Sequence, residues 1–426
     1  MSEEHDPTTA PMTVPRDGVP VGSDGPAPLS GDGGPSPGGA ATSRLRTGTI
    51  SALPSFGSGE APPPPGRTRR RRWPWVLFVV VVVAVAVSSR IDLNYYALQP
   101  GTAQSVQQFI TVPADRSHPV HHPVLLTDVE IGRVTALSYL YFELSSDTSL
   151  EPVNDVTGGT SPSQLNAQGD LEMSQAEDFA KVAALRRLGY TVPATPAGAV
   201  IAGTFPGTPA YPVLSVGDVI TAVAGSPTLS ALELTHALAA YRSGQTVTLT
   251  VRRGGTAAPR PVPVTLKTTV VNLGYNTDGK GPYTRVDLGI EPEDQVDYAY
   301  PFPVAINVTN IGGPSAGLAM TLGVIDALDG GSLTGGRTVA ATGTIDAHGD
   351  VGDVGGVPQK TVAVENAGAS IFLVPPQEYQ AAMSKDRPGL KVYAVSTLDQ
   401  ALAVLAHNGG SVPTTPVTTP ATTSPG

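Results

Sequence analysis

Two short segments hold the residues best suited to chemistry. The first, 305–320, reads Ala-Ile-Asn-Val-Thr-Asn-Ile-Gly-Gly-Pro-Ser-Ala-Gly-Leu-Ala-Met. It is a β-type run, a glycine turn and a helical pattern that sets Leu318, Leu322, Ile325 and Leu328 on one face. Ser315 therefore falls in the first turn of a helix, among backbone amides that lack an intrahelical acceptor and can hold an oxyanion. Gly312, Gly313 and Gly317 allow close backbone approach, and Pro314 stiffens the turn. The second segment, 349–364, is Gly-Asp-Val-Gly-Asp-Val-Gly-Gly-Val-Pro-Gln-Lys-Thr-Val-Ala-Val. It opens another helix, with Lys360 among Val357, Val364 and alanines. Full burial lowers a lysine pKa from about 10.4 by up to roughly 3–5 units, and a neutral amine can take a proton from serine. Alone, Ser315 reads as a helix cap and Lys360 as a surface lysine with its stem on apolar neighbours. Their pairing points to nucleophilic catalysis.

A rival assembles around His348, which lies between Asp346 and Asp350; alternate residues on a strand share a face, so a Ser-His-Asp triad is conceivable. Gly349 and Gly352 instead make that stretch an exposed turn, and the lysine is the preferred base. His121 and His122 are neighbours that would point to opposite faces of a strand, so no metal site is expected there, and no cofactor is called for.

The elements that must position these residues follow from composition. A chain of 426 residues accommodates two ordinary domains with tails to spare. The net charge of -10, with the arginines clustered in one run, speaks against nucleic acid as a partner. The absence of cysteine removes thiol nucleophiles, disulfides and cysteine-ligated zinc together. Residues 1–66 are rich in Pro, Gly, Ser and Thr without apolar periodicity and read as a disordered tail, as does the Thr/Pro-rich stretch 409–426.

Residues 67–93 begin with a basic flank, Arg-Thr-Arg-Arg-Arg-Arg, followed by Trp73-Pro74-Trp75 and a valine-rich run to Val87. This pattern predicts a single transmembrane helix, short against the roughly 17–25 residues a span needs but extendable through 91–93. The basic flank places the N-terminal tail in the cytoplasm and everything after about residue 93 outside the cell membrane. A cleaved signal peptide, with Ala84-Val85-Ala86 as the site, is the rival reading. Residues 94–185 are expected to be β-rich, with strands over 123–128 and 133–144, followed by an amphipathic helix over 173–188.

Residues 186–268 carry Gly217-Asp218-Val219-Ile220-Thr221-Ala222-Val223-Ala224-Gly225, a following helix over 229–241 and a strand over 246–252. This stretch resembles a PDZ domain of the bacterial kind found beside extracytoplasmic proteases. The resemblance implies capture of an extended peptide on a sheet edge, its terminal carboxylate held by a Φ-G-Φ loop. Here that loop would be Leu188, Gly189 and Tyr190, although Pro193 removes a backbone donor soon after it. The plainer alternative is a rigid spacer that binds nothing.

The motifs G-P-S-A-G at 313–317, T-G at 342–343 and G-G-x-x-x-K at 355–360 together resemble the proteolytic domain of the Lon family. The resemblance covers 275–406 and is closest to the membrane-anchored, PDZ-containing branch of Gram-positive bacteria. It implies Ser315 as nucleophile, Lys360 as general base and later acid, and Thr342 as the hydroxyl that holds the amine. Backbone around Gly313, Pro314 and Ala316 would form the oxyanion hole. It also leaves a homo-oligomer open, since relatives assemble as rings. Relatives with an ATPase carry an acidic residue where Gly312 stands, and no G-x-x-x-x-G-K-[ST] phosphate loop occurs here. The expectation is an α/β and α+β multidomain protein, a serine endopeptidase that works without ATP on polypeptide substrates in unfolded or exposed segments of envelope proteins. A catalytically inactive envelope scaffold is the alternative. A trypsin-like protease is excluded by domain order and by the missing G-N-S-G-G loop.

Overall fold

The computed structural model describes residues 73–271, 283–309, 311–385 and 388–413. The predicted tail 1–66, the basic run 67–72 and positions 414–426 lie outside them.

The chain begins with helix α1 (Trp73–Ser88), followed by strands β1 (Asp92–Ser105) and β2 (Leu125–Thr135). Helix α2 (Ala136–Leu144), strand β3 (Ser149–Pro152) and the long helix α3 (Pro162–Arg187) come next. A second set comprises β4 (Ala194–Thr204), β5 (Val219–Val223), α4 (Ala231–Leu238), β6 (Thr246–Arg252), β7 (Arg260–Thr265) and β8 (Ile290–Tyr298). The last set is α5 (Gly317–Leu328), β9 (Val339–Ala341), α6 (Val357–Asn366), β10 (Ile371–Val374), β11 (Lys391–Ala394) and α7 (Leu398–His407).

The first and last sets build one mixed sheet, in the order β11-β10-β9-β2-β1-β3. The C-terminal strands run parallel and the β2-β1-β3 ladder antiparallel. Side chains alternate across it, as strand geometry requires. Val339, Ala341, Ile371 and Leu373 face one core with α3, α5 and α7. Ala340, Phe372 and Val374 face a second core against Val357 and Val364 of α6. The β-rich region expected as a separate element over 94–185 is thus part of this mixed sheet.

The middle set is inserted between α3 and α5 and has its own core, including Ile201, Ile220, Leu249 and Leu288. Its antiparallel sheet runs β8-β4-β5-β6-β7. The Gly-Asp motif acts here as a brace: the 3%-exposed Asp218 accepts from the Ser215 amide at 2.9 Å and pairs with Arg253. Strand β8 lies beyond the expected boundary at 268, in residues the sequence assigned to the following domain. It pairs along β4 from Ile290 with Thr204 to Tyr298 with Ala194.

Two further details are corrected, the end of a predicted strand and the extension of the predicted apolar helix. The strand predicted over 133–144 ends at Thr135, whose side chain caps α2 in a reciprocal pair with Ser138. Among the described residues no helix is long and apolar enough to cross a membrane. Helix α1 stops at Ser88, and the extension expected over 91–93 is taken up by β1, which starts at Asp92.

Candidate active site

Ser315 sits in a single 3-10 turn, Pro314–Ala316, that runs directly into α5. Gly313 enters this turn at φ 86°, a conformation that favours glycine. Its amide donates to the Gly169 carbonyl of α3 at 2.9 Å, which pins the turn to the longest helix of the domain. That bond revises the expected oxyanion hole. The Gly313 amide is engaged and Pro314 has no N–H, so any oxyanion donor from this turn would be the amide of Ser315 or Ala316.

Lys360 projects from α6, whose N-cap residue Gly356 has φ 68° and lies so close to β2 that a Cβ there would come within 2.6 Å of the Val129 side chain. The lysine is 3% exposed. Burial pushes its pKa down to about 8, opposed in part by the negative charges of Asp128 and Glu378. Lys360 Nζ donates to Thr342 Oγ1 at 3.3 Å. The Thr342 hydroxyl, itself buried, donates to the Ser315 carbonyl at 3.2 Å, and the Gly343 amide donates to the same oxygen at 3.0 Å. Three segments far apart in sequence are thereby tied together. Ser315 and Lys360 both line one cavity of about 620 Å³, walled further by Leu98, Asp128, Ile131 and Ile311.

Asp128 was not evident from the sequence. Strand β1 has an irregularity between Pro100 and Ala103, opposite β2, and there Thr102 donates its amide and its hydroxyl to the Asp128 carboxylate at 2.5 and 3.1 Å. No local motif signals this; only strand register does.

His348 lies elsewhere. It is exposed, its amide donates to Asp346 Oδ1 at 2.8 Å, and it lines a separate cavity of about 360 Å³ with Arg186 and Asp399. The structure does not bring it to Ser315. His121 and His122 are exposed, and among the described residues no cluster of three or more His, Cys, Asp or Glu is placed to hold a metal ion.

The amides of Leu188, Gly189 and Tyr190, expected to hold a peptide carboxylate, are engaged with carbonyls of α3. They terminate α3: the Gly189 amide donates to the Arg186 carbonyl at 3.0 Å and the Tyr190 amide to the Leu185 carbonyl at 2.9 Å, a Schellman cap. The Tyr190 ring then packs edge-on against Phe302 at 5.1 Å. A second Φ-G-Φ, Leu288-Gly289-Ile290, immediately precedes the run of β8, with Leu288 and Ile290 in the module's core. The same pattern that drew attention to 188–190 would have found it. Strand β8 also approaches the Ser315 turn: Gln175 donates to Glu293 at 3.0 Å, and Glu293 and Pro314 line a common cavity of about 520 Å³.

Residues 304–407 match the Lon protease (S16) C-terminal proteolytic domain, and residues 178–262 match the PDZ domain. Lon protease 2 of Bacillus subtilis is 36% identical over 121 residues, covering 28% of this chain and 21% of that protein. The Lon protease of Chloroflexus aggregans is 30% identical over 121 residues, covering 28% of this chain and 14% of that one. The matched region thus spans about a fifth or less of these relatives' length. Among solved structures, the PDZ domain of the SdrC-like protein from Listeria monocytogenes is 23% identical, covering 22% of this chain and 87% of that chain, with a TM-score of 0.18.

Proposed function

We propose, on the premise that this chain is a PDZ-containing, Lon-like serine peptidase, that it is an ATP-independent endopeptidase held at a membrane and acting on unfolded or exposed segments of envelope proteins. Ser315 Oγ attacks the scissile carbonyl while the neutral Lys360 amine takes its proton. The amides of Ser315 and Ala316 receive the oxyanion. Lys360 then returns the proton to the leaving amine, and water, deprotonated by the same lysine, releases the acyl group.

The observation that carries this reading is the buried Lys360, joined through Thr342 to the main chain of Ser315 beside a shared cavity. A lysine in that setting has no structural duty that a leucine would not perform better. Independence from ATP is supported by the missing phosphate loop. The membrane reading is supported by α1, which is 16 residues long and apolar or aromatic as far as Val87 with none buried, and by the basic run before it. The same charge asymmetry favours an extracytoplasmic catalytic domain. For the PDZ module, a peptide added beside β8 would lie next to the strand that shares a cavity with Pro314, which suits a regulatory or substrate-recruiting role.

The test is cleavage of casein without ATP by the full chain, Ser315→Ala and Lys360→Ala. Activity lost in both variants supports the dyad. An inert parent, even with added peptides ending in a free carboxylate, would favour the scaffold alternative, and loss in His348→Ala alone would restore the triad.

A further inference from the structure

Helix α2 presents the wrong face to solvent for a soluble domain. Leu137, Leu140, Tyr141 and Leu144 fall at i, i+3, i+4 and i+7. They are 46, 67, 71 and 85% exposed, and no residue of the helix is buried. An amphipathic helix of a globular protein turns that stripe to the core. A contiguous apolar stripe left outside marks a surface that meets something else.

Its place in the fold indicates what it meets. The Ala136 amide donates to the Ile91 carbonyl at 2.9 Å, so α2 starts where the chain leaves α1, and the two helices touch. Helix α1 is itself apolar on every side and uncovered. Around the junction stand side chains of the kind that populate a lipid–water boundary, with apolar bodies and polar tips. Tyr95 packs on Tyr139 at 6.0 Å, Tyr141 on Phe142 at 5.5 Å, and the Arg133 guanidinium lies over the Tyr96 ring at 5.6 Å.

We propose that α2 is an interfacial helix whose stripe Leu137, Leu140, Tyr141 and Leu144 lies in the surface of the same bilayer that α1 enters. This rests on the membrane reading of α1. The dimensions agree: 16 helical residues rise about 24 Å against a hydrocarbon core of about 30 Å, and an interfacial helix sinks roughly 5–10 Å. Immersion of α2 draws the domain down by the distance that α1 lacks. It also replaces a swinging tether with two contacts. Strand β2 runs from α2 to the cavity wall, Ile131 being five residues before Ala136, so the cavity mouth would stand about 17 Å from the lipid surface along that strand.

The chain has no cysteine, so single labels are unambiguous. Val80→Cys on α1, Leu140→Cys on the stripe and Thr248→Cys on the distant module would each carry an environment-sensitive fluorophore in the full chain. Each is reconstituted in mixed phosphatidylcholine and phosphatidylglycerol vesicles containing spin-labelled lipids. The expected result is quenching at positions 80 and 140 but not 248, with 140 quenched several-fold more by a shallow spin label than by a deep one. Quenching at 80 without 140 overturns the proposal and leaves α1 in the membrane. No quenching at either removes the membrane reading and the proposal with it. Energy transfer between labels at 140 on different copies, insensitive to lipid quenchers, assigns the stripe to a second copy of the chain and overturns the proposal as well.

Discussion

Lys360 Nζ lies 3.3 Å from Thr342 Oγ1, and through that hydroxyl the buried amine is linked to the backbone of the serine turn. The threonine accepts from the amine and donates to the Ser315 carbonyl, so it fixes the amine and the turn by one group. Thr342→Val removes both bonds at nearly constant volume. The expected result is a fall in kcat of roughly 10–100-fold with little change in KM, since a displaced base loses part of its catalytic contribution. Thr342→Ser should recover most of the rate. A valine variant as active as the parent would show that the bridge is incidental.

The lowered pKa of Lys360 fixes the pH dependence. The amine is a base only when deprotonated, and its pKa stands at about 8. Peptide hydrolysis should therefore rise with pH, kcat/KM having its acid-side midpoint near 8 rather than near the value of about 6.5 expected of a histidine base. A midpoint in the histidine range that disappears in His348→Ala would contradict the lysine assignment.

Asp128 and Glu378 are the carboxylates whose charge raises the Lys360 pKa against burial, Asp128 from β2 and Glu378 from the turn beyond β10; Glu130 also lines the cavity wall. Asp128→Asn keeps an oxygen to accept from Thr102 and so preserves the local strand geometry. Removing the negative charge makes the protonated amine less favourable, and the acid-side midpoint should move to lower pH. A purely structural role for Asp128 would lower activity and leave the midpoint where it was. Glu378→Gln should shift it in the same direction by less.

The two segments that meet at the cavity were legible because each is continuous: a glycine turn before a helix announces Ser315, and a Gly-Gly entry to a helix announces Lys360. The hydroxyl that joins them, Thr342, came with the family resemblance, but the cavity wall beside them did not. The wall carrying Asp128 belongs to a strand whose partners are β1 and, far along the chain, β9, and long-range pairing leaves no local pattern. The PDZ sheet was truncated for the same reason, its strand β8 arriving after the boundary that β7 suggested. Residues 136–144 were misread because aromatic and apolar residues dominate them, while the decisive signal was the short cap between Thr135 and Ser138. Gly189 misled because a helix-ending Schellman turn and a Φ-G-Φ loop share one sequence pattern, and only the hydrogen bonds distinguish them.

If Lys360 is kept for chemistry, the fold carries a cost that a substitution should relieve. Its folded-state pKa of about 8 lies below the ordinary 10.5. Below pH 8 both folded and unfolded chains hold the proton, and the folded state bears the whole penalty of a buried ammonium. Between 8 and 10.5 the unfolded chain binds more protons, so stability rises with pH, and above 10.5 the penalty is gone. Lys360→Met, similar in length and without charge, should therefore be inactive yet more stable at pH 7, by on the order of 2–3 kcal/mol. The gain should shrink steadily as the pH is raised towards 10. Denaturant melts of the full chain at several pH values measure it. A variant less stable than the parent at every pH would mean that the amine is a net structural contributor, and the argument from buried charge to catalysis would lose its footing.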